Sequence, residues 1–294
     1  MTLVSTSRVR VALSGAHSPT RRVRWGALAA LSLLTAGARP AAGQISVDQA
    51  EIVLHPQPSA PSVAGFNVSN ETNALVEATV YLMDWDRDED GANRFQPLGS
   101  VPQSCAKYLR VFPLNLRLPP HTSQGVRLGL QGADSVPATC WSIVFVEAGG
   151  PQAGAGRRIS YVLRLGVKVY IEPPGLATDG EVEGMGIDTI RPAPVPPVRG
   201  AKPAPPARDT AVSWVRFRNT GGLPAMVHGE MEYRKLDNAV VHRDSIPTFP
   251  VLPGAARRAR VPLPRLPPGH YVVLALLDFG GTEVAAGQVP LDIP

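Results

Sequence analysis

The sequence predicts an all-β protein made of two β-sandwich domains joined by a Pro-rich linker. In many segments rich in β-branched and aromatic residues, apolar side chains recur at every second position, which is the pattern of half-buried strands. The 28 glycines and 31 prolines favour turns and linkers over helices. A length of 294 residues is enough for two domains of ordinary size.

Residues 1–43 predict an export signal that is not part of the fold. An Arg-rich start is followed by an apolar run at 26–38, which is too short to span a bilayer comfortably, and then by small residues at 41–43. We expect cleavage before Gln44. An N-terminal membrane anchor is the alternative interpretation of the same apolar run.

The charge balance changes when this segment is removed. Residues 1–43 carry six of the 29 basic residues and none of the 24 acidic ones, which leaves 23 basic residues against 24 acidic ones. The positive net charge therefore belongs to the export signal and does not indicate nucleic-acid binding.

Residues 44–173 predict the first β-sandwich. Seven or so short alternating segments, separated by turn signals, are typical of such a domain. Before the last segment, the alternating apolar positions are Ile45 and Val47; Ile52 and Leu54; Phe66 and Val68; Val76, Ala78, Val80 and Leu82; Leu114, Leu116 and Leu118; Val126, Leu128 and Leu130; and Trp141, Ile143 and Phe145.

The last segment, residues 157–173, predicts one strand that is longer than average. Its apolar alternate positions are Ile159, Tyr161, Leu163, Leu165, Val167, Val169 and Ile171. A strand of this length can outrun its own sheet, and its unpaired edge can then pair with another chain. The alternative is that the apolar row simply faces the core of its own domain.

The two cysteines, Cys105 and Cys140, both lie in the first domain. In an exported chain the first expectation is a disulfide bond between them. The loss of loop entropy in the unfolded chain would make such a bond worth about 4 kcal/mol. A redox or nucleophilic role is the weaker alternative, because there is no CxxC motif and no histidine close to either cysteine in the sequence.

Residues 174–208 predict the Pro-rich linker, and residues 209–294 predict the second sandwich. Seven prolines between 192 and 206 favour a semi-rigid, polyproline-like chain, and a short strand at 182–190 is an alternative within the linker. In the second domain Tyr271 follows a Gly turn and resembles the tyrosine corner of immunoglobulin-like sandwiches. We therefore predict two immunoglobulin-like β-sandwich domains.

The chain shows little sign of catalytic chemistry. The acidic run at 84–91 fits the first half of a calcium loop, but the twelfth position is Pro97, so we interpret the run as a solvated loop. The histidines lack metal-ligand spacing, and no known catalytic or nucleotide-binding motif is present. We expect no enzyme activity, no metal, no cofactor, no small-molecule substrate and no nucleic-acid partner.

Three parts of the first domain resemble the periplasmic chaperones of chaperone–usher pilus assembly, the PapD-type family. Residues 45–54 resemble the family's first strand, residues 112–128 its central strand pair, and residues 162–173 its last strand and exit. The resemblance implies donor-strand complementation, in which the last strand completes a subunit sandwich that lacks its own final strand.

The resemblance also implies roles for single residues. Strand 158–170 would be the donated strand, with Lys168 at the position of the family's lysine, which holds the subunit's C-terminal carboxylate. The sequence departs from the family at Glu51, which stands where the family has an arginine and which would repel a carboxylate or neutralise Lys168. The partner-binding residues implied are Ile159, Tyr161, Leu163, Leu165 and Lys168.

The leading hypothesis is a periplasmic, chaperone-like protein that binds and stabilises exported pilin-like subunits, with an outer-membrane usher as a possible further partner. The alternative hypothesis is a secreted or cell-surface structural or adhesion protein that uses the same fold without a chaperone cycle.

Overall fold

A computed structural model describes residues 45–56, 63–132, 135–149, 162–191 and 208–294. All 17 elements in these residues are β-strands, and they form two sandwiches, so the predicted all-β fold is confirmed. Within the same residues no helix is long and apolar enough to cross a membrane. The predicted export signal, residues 1–43, lies outside the described residues.

The first sandwich contains ten strands. They are β1 (Ile45–Val47), β2 (Glu51–Leu54), β3 (Val63–Asn70), β4 (Val76–Arg87), β5 (Asn93–Gln96), β6 (Leu109–Phe112), β7 (Asn115–Leu118), β8 (Ser123–Leu130), β9 (Cys140–Gly149) and β10 (Val162–Ile171). One sheet has the order β1-β3-β8-β6, and the other has the order β2-β10-β9-β4-β5 with β7 also paired to β4.

Most predicted apolar rows of the first domain meet between these two sheets, but the row Trp141, Ile143 and Phe145 lies on the outer face of β9 instead. Fully buried side chains such as Val68, Leu128 and Val144 alternate along their strands, as a strand with one face on the core requires. The disulfide prediction is confirmed, since Cys105 and Cys140 are bonded with their Cα atoms 5.2 Å apart, and both are part of this core.

The second sandwich contains seven strands in two sheets, β11-β12-β15 and β14-β13-β16-β17. They are β11 (Gly180–Ile190), β12 (Thr210–Asn219), β13 (Ala225–Lys235), β14 (Val240–Val251), β15 (Ala256–Pro262), β16 (Gly269–Asp278) and β17 (Ala285–Ile293). The tyrosine corner is present, because the Tyr271 hydroxyl donates to the Pro267 carbonyl at 2.9 Å.

The first half of the predicted linker belongs to the second sandwich. Within the range predicted as a linker, 174–208, strand β11 pairs antiparallel with β12 along most of its length. The alternative of a short strand at 182–190 is therefore correct, and the glycines of β11 have a packing role. A Cβ on Gly186 would lie 2.8 Å from the Trp214 ring, so glycine leaves room for that indole on the neighbouring strand. Residues 192–207 lie outside the described residues.

In each sandwich a buried asparagine at the end of a strand holds a turn. These residues are Asn70 at the end of β3 and Asn219 at the end of β12. The Asn70 amide donates to the carbonyls of Ala74, Leu118 and Pro119 at 2.8–3.0 Å. The Asn219 amide donates in the same manner to two carbonyls of the second sandwich, at 2.8 and 3.0 Å. Both side chains satisfy backbone acceptors that burial would otherwise leave unpaired.

The acidic run at 84–91 is not the solvated loop that we expected. Strand β4 continues through its first half to Arg87, and Asp84 is fully buried, where it accepts hydrogen bonds from the Ser100 amide and the Ser104 hydroxyl. The second half forms the β4–β5 turn and contacts the second sandwich. There Glu89 pairs with Arg216 at 2.7 Å, and Asp90 pairs with Arg260 at 2.7 Å. We call these two pairs the ionic clasp.

Candidate functional site

The candidate site is built on strand β10, whose two edges are paired unequally. One edge pairs antiparallel with β9 from Val162 to Ile171. The other edge pairs parallel with β2 at positions 168–171 only. Among the described residues, no strand pairs with positions 162–167 on that second side. The backbone donors and acceptors along this half of β10 are therefore open to another strand.

The apolar row of β10 faces the core of the first sandwich. Val167, Val169 and Ile171 are fully buried there, while Leu163 and Leu165 are half-buried and pack against the same core. The alternative interpretation, that this apolar row faces the core of its own domain, is therefore correct for these five residues in the free protein. Burial also decreases toward the open half of the strand, so Leu163 and Leu165 lie where the core ends. Ile159 and Tyr161 lie outside the described residues.

Lys168 lies on the opposite face of β10, at the point where pairing with β2 begins. Its backbone amide donates to the Ala50 carbonyl at 2.9 Å. Its ammonium lies 4.6 Å from the centroid of the Trp85 ring, a distance typical of a cation–π contact. Burial lowers the pKa of Lys168, and the charge of Arg87 lowers it further.

Glu51 is the register partner of Lys168. The two side chains form no ion pair within 4.0 Å, although both are described, and Glu51 is exposed. The Glu51 charge acts to raise the pKa of Lys168, but burial and Arg87 have the larger effects in sum, since the pKa is lowered. Glu51 therefore lies beside Lys168 in the register without forming an ion pair with it.

The face of the sheet around Lys168 is aromatic. A buried cluster on this outer face contains Trp85, Trp141, Ile143, Phe145 and Tyr170, and we call it the aromatic face. Leu252 and Ala255, from the turn between β14 and β15 of the second sandwich, complete the same cluster. Strand β9 is buried on both faces for this reason, with the core on one side and this cluster on the other.

Two arginines near Lys168 were not among the predicted site residues. Arg87 follows Trp85 on the same face of β4, and its guanidinium carbon lies 5.5 Å from the Trp85 ring centroid. Arg257 comes from β15 of the second sandwich. Arg87 and Arg257 both donate to the Pro250 carbonyl, at 3.5 and 3.1 Å. Extending the period-two pattern of β4 past Leu82 would have found Arg87, but no sequence signal places Arg257 beside it.

Comparisons with known proteins give structural neighbours but no match in sequence. No protein-family model matches the chain, and no curated protein matches it in sequence. The chain resembles fimbrial chaperones of known structure. The class 5 fimbriae chaperone CfaA is 12% identical, with a TM-score of 0.46 and coverage of 85% of this chain and 99% of that one.

Two further similar structures are of proteins from Escherichia coli and Salmonella enterica. The Escherichia coli chaperone DraB is 14% identical, with a TM-score of 0.39 and coverage of 85% of this chain and 98% of that one. A Salmonella enterica SafA pilin in complex with the SafB chaperone gives a match of 13% identity, with a TM-score of 0.40 and coverage of 83% and 96%. At this level of identity the likeness concerns the fold alone.

Proposed function

We propose that this protein binds and stabilises exported, pilin-like subunits by strand addition at the open half of β10. The observation that carries the proposal is the edge at 162–167, which pairs with no strand of the described residues and continues a strand that is paired elsewhere. Strand addition satisfies the open backbone groups of both chains, and alternate side chains then give specificity. The role is binding and not catalysis.

The side chains of the open half of β10, residues 162–167, suit the binding of a subunit strand. Leu163 and Leu165 are apolar and only half-buried, so each still has surface that a subunit groove can cover. Burying that remaining apolar surface favours association at about 25 cal/mol per Å². We place Lys168 at the far end of the groove, where its ammonium would hold the carboxylate of the subunit's last residue.

The proposal extends to location and partners. The predicted export signal and the disulfide together suit the periplasm or another oxidising compartment. An outer-membrane usher is the natural acceptor for a subunit that a periplasmic protein has bound.

Three aspartate substitutions on one strand test the proposal. Leu163→Asp should abolish co-purification of pilin-like subunits encoded by neighbouring genes, while costing the free protein only about 1–2 kcal/mol because the site is half-buried. Val162→Asp is the matched control, since Val162 is 60% exposed on the other face, and it should leave capture intact. Val167→Asp buries an unpaired charge in the core and should cost several kcal/mol.

Capture that survives Leu163→Asp in a folded protein would remove the strand-addition proposal. Loss of capture by Val162→Asp as well would mean that the partner binds the outer face instead. Failure of the wild-type protein to capture any subunit would favour the structural or adhesive role at the cell surface.

A further inference from the structure

Asp84 is a fully buried carboxylate that takes no part in the proposed subunit site. It lies near the end of β4. Among the described residues, no lysine, arginine or histidine nitrogen lies within 4.0 Å of its oxygens. Burying a carboxylate is costly unless hydrogen bonds replace its water shell. The donors that replace this water must therefore come from the surrounding chain.

Most of the donors to Asp84 come from one segment, residues 97–106, which lies between β5 and β6. The carboxylate accepts hydrogen bonds from the backbone amides of Ser100 and Val101 at 2.9 and 3.3 Å, and from the Ser104 hydroxyl at 2.7 Å. Among the described residues, this segment pairs with the sheets only through one isolated bridge to β9. Asp84 therefore holds a segment that has little strand pairing of its own.

The same carboxylate is linked to Cys105 from two directions. Ser104, the residue before the cysteine, donates to Asp84 and accepts from the Ala106 amide at 3.1 Å. On β9, the Ser142 hydroxyl donates to Asp84 at 3.4 Å and accepts from the Cys105 amide at 3.3 Å. Cys105 is therefore held in front of β9, the strand that begins with its disulfide partner.

The segment also shields the disulfide bond. Cys105 is 0% exposed and Cys140 is 5% exposed. A cavity of about 590 Å³ runs along the segment, and its lining includes Cys140 together with Gln103 and Lys107. A small thiol in this cavity reaches the sulfur atoms only if the segment moves.

We propose that Asp84 is the positioning residue of the disulfide bond. It holds residues 97–106 so that Cys105 lies against Cys140 when the bond forms, and it keeps the bond closed to thiols afterwards. If the segment lifts away, Asp84 loses these hydrogen bonds, so opening is disfavoured. The proposal is independent of subunit binding, since none of these residues lies on the open half of β10.

Reduction of the bond by a dithiol measures how often the segment opens. A dithiothreitol thiolate attacks one sulfur of the protein disulfide and expels the other cysteine as a thiolate. The second thiol of the reagent then displaces the first cysteine. The dithiol ends as a cyclic disulfide, its two protons pass through water to the cysteine thiolates, and both cysteines end reduced. Because both cysteines are buried, the first attack waits for the segment to move.

Asp84→Asn should open the native, oxidised protein to reduction. The substitution keeps the shape of the side chain but turns one acceptor oxygen into a donor that faces other donors. We expect reduction about tenfold faster than in wild type, as the loss of hydrogen bonds to a charged group implies. Ser104→Ala removes a single donor and should speed reduction about threefold, which keeps the proposal testable if Asp84→Asn does not fold. Alkylation followed by mass spectrometry counts the free thiols over time.

Val144→Ala is the matched control for a general loss of stability. Val144 is a fully buried core residue on β9, the strand that carries Ser142, but its side chain has no polar atom to offer Asp84. Its truncation should lower the urea midpoint and leave the rate of reduction unchanged. Amide hydrogen exchange should increase in residues 97–106 of Asp84→Asn and not in Val144→Ala.

Reoxidation by oxidised glutathione tests the step that forms the bond. One cysteine displaces a glutathione thiolate and forms a mixed disulfide, and the other cysteine then displaces the second glutathione. In wild type the second step should follow at once, because Cys105 is held beside Cys140, whereas the mixed disulfide should accumulate in Asp84→Asn. Three outcomes would overturn the proposal. They are an unchanged rate of reduction in the folded Asp84 and Ser104 variants, an equal acceleration in Val144→Ala, and equal accumulation of the mixed disulfide in wild type.

Discussion

Leu252 should hold the two sandwiches together more strongly than the ionic clasp does. It is 4% exposed, and it packs from the second sandwich into the aromatic face of the first. Truncating a buried leucine to alanine removes its transfer free energy and leaves a cavity, at a cost of 2–5 kcal/mol in well-packed cores. Because this site lies at an interface that can partly close, we expect Leu252→Ala to cost about 2–3 kcal/mol.

The ionic clasp should contribute less to the stability than Leu252 does, although the charged atoms of its two pairs are close together. The side chains of Glu89 and Asp90 are 47% and 65% exposed, so water and salt screen both pairs. Exposed ion pairs contribute about 0.2–1 kcal/mol each, which gives the two pairs about 1 kcal/mol together. Glu89→Gln with Asp90→Asn should therefore cost about 1 kcal/mol, and nothing measurable at high salt.

Urea unfolding of the purified chain, followed in low and high salt, measures both changes. Leu236→Ala is the control for Leu252→Ala, because Leu236 is a leucine of the second sandwich that is 74% exposed and should tolerate truncation. Solution scattering of the folded variants reports whether the sandwiches separate. The reasoning would be refuted if the double charge variant at high salt cost as much as Leu252→Ala, or if it separated the sandwiches while Leu252→Ala did not.

Two further predictions concern the effect of low pH on the ionic clasp and the contribution of the disulfide bond to stability. The hydrogen bond from Arg216 lowers the pKa of Glu89 below its usual value near 4.5, so its contribution to the clasp is present at neutral pH and is lost as pH falls through the lowered pKa. Urea unfolding should show a loss of stability at acid pH that is slightly smaller in Glu89→Gln, and an identical response would contradict this. Replacing Cys105 and Cys140 by serine should lower the free energy of unfolding by about 4 kcal/mol, measured in urea, and a loss under about 1 kcal/mol would contradict the loop-entropy argument.

Most of the strands that sequence analysis found have one apolar row on the core. Strands β7 and β8 are clear in the sequence because the period-two pattern matches their burial. Sequence analysis missed strands β14 and β15 because their residues do not alternate between apolar and polar. Strand β14 includes two prolines, which an edge strand tolerates, and β15 carries three arginines on partly buried positions.

The candidate site was predictable only in part. Lys168 could be located because the resemblance fixes its position on a strand with clear alternation. Trp85 and Arg87 were missed because Asp84 and Asp86 alternate with them and make the segment resemble an acidic loop, although extending the alternation of β4 past Leu82 would have included both. Arg257 lies 89 residues beyond Lys168 in the chain and reaches the site only through the packing of the second sandwich, which local sequence patterns do not encode.

The hydrogen bonds of Asn70 have a consequence for how the protein should be produced. Asn70, Glu71 and Thr72 form an acceptor sequence for N-linked glycans in a eukaryotic secretory pathway. In the folded protein Asn70 is 1% exposed and its amide donates to three carbonyls, so only the unfolded nascent chain offers this site. A glycan attached there would prevent the turn after β3 from closing. Yeast or mammalian secretion would therefore yield a modified fraction that cannot fold, and a bacterial host avoids that loss.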